Sequence, residues 1–99
     1  MTTSTDAFIP ADAATIALQV GRMNLLAISG GRIAARPTGI TLPVRYGYAV
    51  TIDLHANDTY VVRRVFTRGG KSWIKQEWTD VYADEVGEIA YRASCYLDA

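Results

Sequence analysis

Three stretches with alternating residues decide the fold: YGYAVTIDL (46–54), TYVVRRVFT (59–67) and KSWIKQEWT (71–79). In the first stretch every second side chain is apolar, and this period of two is that of a half-buried β-strand. β-Branched and aromatic residues dominate the other two stretches, as is typical of strands. Gly69 and Gly70 form a two-residue hairpin loop, because both can adopt the positive φ of a type I′ turn. The sequence therefore predicts a three-stranded antiparallel meander.

Helical periodicity flanks the meander on both sides. An N-terminal helix begins near Pro10 and ends at Gly30 and Gly31, with the apolar stripe Ile16, Val20, Met23 and Ala27. A C-terminal helix follows Asp84, with Val86, Ile89, Ala90, Ala93 and Leu97 on one face. Two short extended pieces, 32–36 and 40–44, precede the meander.

We therefore predict an α+β fold with an N-terminal helix, an antiparallel β-meander of three to five strands and a C-terminal helix. Both helices should pack on the sheet face that carries Val50, Ile52, Val65 and Trp78. Residues 1–9 are predicted to be a flexible tail, and residues 10–99 to be one α+β domain.

The hairpin registers predict which side chains share a face. The loop at Gly69 and Gly70 pairs Phe66 with Trp73. An even-numbered loop at 55–58 would then give a core face of Tyr48, Val50, Ile52, Leu54, Val61, Val65, Ile74 and Trp78. The second face would carry aromatic and basic side chains, either exposed or covered by a helix. An odd-numbered loop would reverse the first strand and change this division.

The charges balance overall but are unevenly distributed. Ten basic and ten acidic residues give a net charge of zero, whereas proteins that track phosphates usually have a basic excess. Basic residues follow the strands and could form a stripe: Arg36, Arg45, Arg63, Arg64, Arg68, Lys71 and Lys75. Acidic residues gather near the C-terminus: Asp80, Asp84, Glu85, Glu88 and Asp98. This polarity could steer a partner, or it could be ordinary solvated charge.

Catalytic and metal-binding motifs are not evident. His55 is the only histidine; it lies in a predicted turn with no nucleophile close in sequence, so a turn role is favoured over a general base. Cys95, the single cysteine, lies near the end of the last helix, where we expect a buried or half-buried packing residue. We predict no catalytic residues, no metal and no cofactor. The lone thiol and the lack of a signal peptide or an apolar span predict a cytoplasmic protein without membrane contact.

Several strings resemble a group of small, uncharacterised proteins that bacteriophages of actinobacteria encode. They are NLLAISGGR (24–32), LPV (42–44), GYAVTIDL (47–54), DTYVVRRVFTRGGK (58–71) and DEVGEIAYRASCY (84–96), and they cover roughly three quarters of the chain. The resemblance implies synthesis inside an infected bacterium and binding to a host macromolecule, such as a component of a defence system. It assigns no site residues.

The first functional hypothesis is a non-enzymatic phage-type protein that binds a host protein, or a second copy of itself, through the second sheet face. The binding residues would be Tyr60, Arg64, Phe66, Trp73 and Lys75, since aromatic residues and arginine are typical of interface hot spots. The alternatives are a single-stranded nucleic-acid-binding module that uses the same face and, least favoured, an enzyme with a site near His55.

Overall fold

The computed structural model describes residues 8–95, which form three helices and five strands. In chain order these are α1 (Ala13–Val20), α2 (Arg22–Ser29), β1 (Ala34–Arg36), β2 (Gly39–Pro43), β3 (Tyr48–Leu54), β4 (Tyr60–Arg68), β5 (Lys71–Val81) and α3 (Val86–Cys95). The strands form one antiparallel sheet in the order β1-β2-β3-β4-β5. The predicted α+β class with helices packed on a sheet is confirmed.

The predicted N-terminal helix is two helices, because the chain breaks at Gly21. This residue has φ +93° and ψ 142°, a conformation that other residues rarely adopt. The side-chain amide of Asn24 donates to the Val20 carbonyl at 2.8 Å and so satisfies an acceptor that the break exposes. Helix α3 approaches the chain at this point, since a Cβ atom on Gly87 would lie 2.4 Å from the Val20 carbonyl oxygen.

The connection between β3 and β4 determines which face of β4 the helices cover. It comprises residues 55–59, because the Asn57 side chain accepts hydrogen bonds from the Thr59 amide (3.2 Å) and hydroxyl (2.6 Å) and holds Thr59 in the turn. Leu54 therefore pairs with Tyr60, and Ile52 pairs with Val62. Paired residues share a face, so the prediction from an even-numbered loop was wrong for β4.

As a consequence, β4 presents the opposite set of side chains to the helices. Val62 is buried in the core beside Val50 and Ile52, whereas Val65 lies on the face away from the helices. The predicted binding residues on β4 lie on the helix-covered face, not on an open one: Tyr60, Arg64 and Phe66.

A bulge in β5 keeps Trp78 on the predicted face. The hairpin at Gly69 and Gly70 forms as predicted, and Phe66 pairs with Trp73. An uninterrupted hairpin would pair Arg64 with Lys75. Beyond a register shift, Arg64 instead pairs with Gln76, and Val62 pairs with Trp78. The extra residue shifts the alternation of β5 by one position, so Trp78 packs against the core.

The core lies between the helices and one face of the sheet. Its largest fully buried side chains are Ile16, Val20, Ile40, Leu42, Val50, Ile52, Val62 and Val86. The predicted flexible tail falls mostly on residues 1–7, which lie outside the described residues, as does Leu97 of the predicted helical stripe. Phe8 and Ile9 are part of the fold, since Phe8 bridges His55 and the Ile9 amide donates to Leu54 at 3.0 Å. None of the helices described is long and apolar enough to cross a membrane.

The close approach at Gly87 gives the first prediction. Helix propensity alone predicts that Gly87→Ala raises the free energy of unfolding by about 1 kcal/mol. Because the new methyl group would collide with the Val20 backbone, we instead expect a decrease of about 1–3 kcal/mol in urea unfolding. The exposed neighbour Glu88→Ala is the control and should change the value by less than about 0.5 kcal/mol. A Gly87→Ala protein more stable than wild type would contradict the packing described.

Candidate functional site

Arg64 lies in the interior, where it connects the sheet to the end of α3. Only 6% of its surface is exposed, and its Nη1 donates to the carbonyls of Ala93 (2.8 Å) and Ser94 (3.1 Å). Both carbonyls belong to the last described turn of α3, and the carbonyl end of a helix favours a cation. The Arg64 guanidinium also lies 4.1 Å from the centroid of the Tyr48 ring. Its predicted role as an exposed binding residue does not fit this position.

An aromatic stack extends from Arg64 towards the edge of the sheet. The Tyr48 and Phe66 rings are 4.9 Å apart, and the Phe66 and Trp73 rings are stacked at 5.9 Å. Trp73, on the edge strand β5, remains 46% exposed. Of the predicted binding residues, the structure therefore brings together Arg64, Phe66 and Trp73.

The other two predicted binding residues lie apart from this stack. Tyr60 is six positions from Phe66 along β4, which corresponds to about 20 Å. It is buried, and its hydroxyl forms a hydrogen bond with the Gln19 side chain. Burial and the nearby Asp58 carboxylate raise the pKa of Tyr60. Lys75 is exposed at the bulge of β5.

Tyr46 is a site residue that the sequence analysis missed. It lies in the turn between β2 and β3. A hydrogen bond of 3.1 Å from the Tyr48 amide to the Arg45 carbonyl closes this turn. Tyr46 has φ +60° and Gly47 has φ +84°, and the Tyr46 side chain is 86% exposed. Left-handed backbone costs an L-residue other than glycine about 1–2 kcal/mol, and asparagine is the usual non-glycine choice there. Tyr46 was assigned to a strand; the signal for a turn was the glycine after it.

We call this region the aromatic end: Arg45, Tyr46, Tyr48, Arg64, Phe66, Arg68, Lys71 and Trp73. It lies at one end of the sheet because the turns at 45–47 and 69–70 connect alternate antiparallel strands. The stretches that build it contain no acidic residue, since the sequence has none between Asp12 and Asp53 or between Asp58 and Glu77.

The opposite end of the sheet carries acidic residues. Asp58 lies in the connection before β4, and Asp80 lies at the end of β5.

The predicted basic stripe is divided between two regions. Arg36 pairs with Asp53 at 2.9 Å and Arg63 pairs with Glu77 at 2.6 Å, both on the face away from the helices.

A cavity of about 540 Å³ opens beside the aromatic end. Its lining comes from α2, the β2–β3 turn, two strands and the end of α3: Ala27, Ile28, Val44, Arg45, Tyr46, Tyr48, Arg64, Ser94 and Cys95. Cys95 is exposed, so the expectation of a buried or half-buried packing residue was wrong.

His55 occupies a turn, as predicted. Its Nδ1 lies 3.0 Å from the Asn57 side-chain oxygen, and Phe8 contacts its ring edge-on at 5.8 Å. A cavity of only about 80 Å³ lies nearby, between His55, Arg63 and Glu77. Within residues 8–95 there is no cluster of histidine, cysteine and acidic side chains that could hold a metal ion. That the protein is not an enzyme stays a prediction from the sequence.

Comparison with known proteins gave no match: no family model fits the chain, and no curated protein or solved structure is significantly similar to it. The resemblance to proteins of actinobacterial phages therefore stays a prediction.

The position of Arg64 gives the second prediction. Arg64→Met keeps a long unbranched side chain but leaves the Ala93 and Ser94 carbonyls without their cation. We expect the free energy of unfolding to fall by about 2–3 kcal/mol, the usual contribution of hydrogen bonds to a charged group. Arg68→Met removes an exposed arginine from the same strand and should cost less than about 0.5 kcal/mol. Equal small effects of both substitutions in urea unfolding would refute the buried position of Arg64.

Proposed function

We propose that this chain is a non-catalytic binding protein that engages a partner protein with an acidic, partly apolar surface through the aromatic end. The observation that carries the proposal is Tyr46. A large aromatic side chain is held almost fully exposed on left-handed backbone, where asparagine or glycine would relieve the strain. Strained residues of this kind cluster at binding and active sites.

The chemistry around Tyr46 fits a protein partner. Tyrosine, tryptophan and arginine are the residues that most often dominate binding energy at protein interfaces. The aromatic end presents Tyr46, Trp73, Arg45 and Arg68 at its surface, together with Lys71. Among residues 8–95, Asp58 and Asp80 lie at the opposite end, and this uneven charge would orient the aromatic end towards a negatively charged surface; Asp98 of the predicted acidic cluster lies outside the described residues.

The single-stranded nucleic-acid alternative has weaker support. A strand-binding groove needs several exposed basic side chains along its path. Arg64 is not among them, because it is buried and binds the carbonyls of α3. This leaves Arg45, Arg68 and Lys71 as the exposed cations of the aromatic end.

The identity of the partner follows only from the resemblance. If the chain is a phage protein, the partner is a host macromolecule inside the infected bacterium, such as a component of a defence system. A cytoplasmic location and a role against host defence stay predictions on the same basis.

The test compares two substitutions of exposed tyrosines at opposite ends of the sheet. Tyr46→Asn should raise the free energy of unfolding by about 1 kcal/mol, because asparagine tolerates left-handed backbone better. The same substitution should weaken capture of a partner. Tyr82→Asn is the matched control, since Tyr82 is 59% exposed near the acidic end. It should leave capture unchanged. The measurements are urea unfolding and quantitative capture from an actinobacterial lysate on the immobilised proteins.

Two outcomes would contradict the proposal. One is a set of captured proteins that is the same for wild type, Tyr46→Asn and Tyr82→Asn. The other is a dimer in light scattering that dissociates on Trp73→Ala, because the aromatic end would then be a self-interface and not a site for a foreign protein. Captured proteins that are acidic and elute at moderate salt would support it, since exposed charge pairs are screened by ions.

A further inference from the structure

We propose that the cavity at the aromatic end binds a small planar anion, with its ring against Tyr46 and Tyr48 and its carboxylate or phosphate on Arg45 and Arg64. This inference does not depend on a protein partner. It concerns a site for a small molecule, and its test needs only the purified chain.

The size of the cavity suits such a ligand. Its volume is about 540 Å³, and ligand sites usually measure about 300–1,000 Å³. A second cavity of about 370 Å³ adjoins it and shares the wall formed by Ala27, Ile28, Val44 and Arg45. Together they offer room for a ring and for the group attached to it.

The charge of the lining favours an anion. Arg45 and Arg64 contribute guanidinium groups, and none of the lining residues described is acidic. The Nε of Arg64 is buried and has no hydrogen-bond partner within residues 8–95, although buried polar groups normally have one. Tyr48 and the carbonyls of Ala93 and Ser94 fix this guanidinium in place, so the site is preorganised. Because this Nε is shielded from solvent, the ligand would bind the part of Arg64 that lines the cavity.

The tyrosines supply the preference for a planar ring. Tyr48 is held by the aromatic stack beneath it, whereas Tyr46 lines the same cavity from the exposed turn. The left-handed backbone at Tyr46 places the Tyr46 ring where a bound ring could contact it, and this contact would account for the strain at this position. Offset or edge-on contacts between rings stabilise such a complex beyond simple burial.

The experiment titrates the full chain with two aromatic anions, AMP and indole-3-acetate, followed by amide chemical shifts. The first carries a phosphate and the second a carboxylate, so the two arms distinguish which anion the arginines accept. We expect at least one to saturate with a Kd of about 10 µM to 1 mM, typical of ligands of this size. The shifts should concentrate at residues 45–48 and 94–95. Adenosine, which lacks the anion, should bind at least about tenfold more weakly.

Four variants separate this site from general attraction of anions. Arg45→Gln should raise Kd about tenfold, whereas Arg68→Gln should not change it, because Arg68 is exposed at the same end but does not line the cavity. Tyr46→Phe keeps the ring and should retain binding, and Tyr46→Asn should lose it while remaining folded.

Three results would overturn the inference. One is the absence of saturation by both anions up to about 5 mM. Another is equal weakening by Arg45→Gln and Arg68→Gln, which would indicate diffuse electrostatic attraction. The third is binding of a short oligothymidylate without binding of either small anion, which would indicate a surface for a strand. The first two results leave capture of a protein partner untouched, so the small-molecule site can fail while the proposed function stands.

Discussion

The structure depends most on one buried cation. Arg64 lies beneath the end of α3 and holds its last carbonyls, and its other face lies against the Tyr48 ring. Residues 8–95 place no carboxylate on this guanidinium, so helix carbonyls and an aromatic face stabilise the charge. Burial of a cation is unfavourable unless these contacts form, which makes the position of α3 and that of the aromatic stack mutually dependent.

The sequence was informative about the elements and less so about the faces. Period-two alternation and a Gly-Gly turn correctly predicted β3, the β4–β5 hairpin and the pairing of Phe66 with Trp73. The covered face of β4 could not be predicted, because it depends on whether Thr59 belongs to the turn or to the strand. Hydrogen bonds to the Asn57 side chain decide that question, and they leave no periodic signal. The bulge in β5 also leaves no signal in the alternation of apolar and polar residues along the sequence.

These two local irregularities rearranged the candidate site. The predicted binding face comprised side chains of two strands. Two of them, Tyr60 and Arg64, are buried in the structure. Phe66 and Trp73 do belong to the candidate site. Their stacked rings connect the buried Arg64, through Tyr48, to the surface. Tyr46 was not predicted as a site residue, because a tyrosine beside alternating apolar residues indicates a strand. Its place in an exposed turn follows from its positive φ, which the sequence pattern does not show.

The buried position of Arg64 requires α3 to cover the face of β4 that carries Val62 and Arg64. A carbon-edited NOESY spectrum of the labelled protein tests it most directly, through contacts between the valine methyl groups of β4 and the alanine methyl groups of α3. We expect cross-peaks from Val62 to Ala90 or Ala93, all of which are buried in one core. Cross-peaks from Val61 or Val65 to those alanines, without any from Val62, would contradict it.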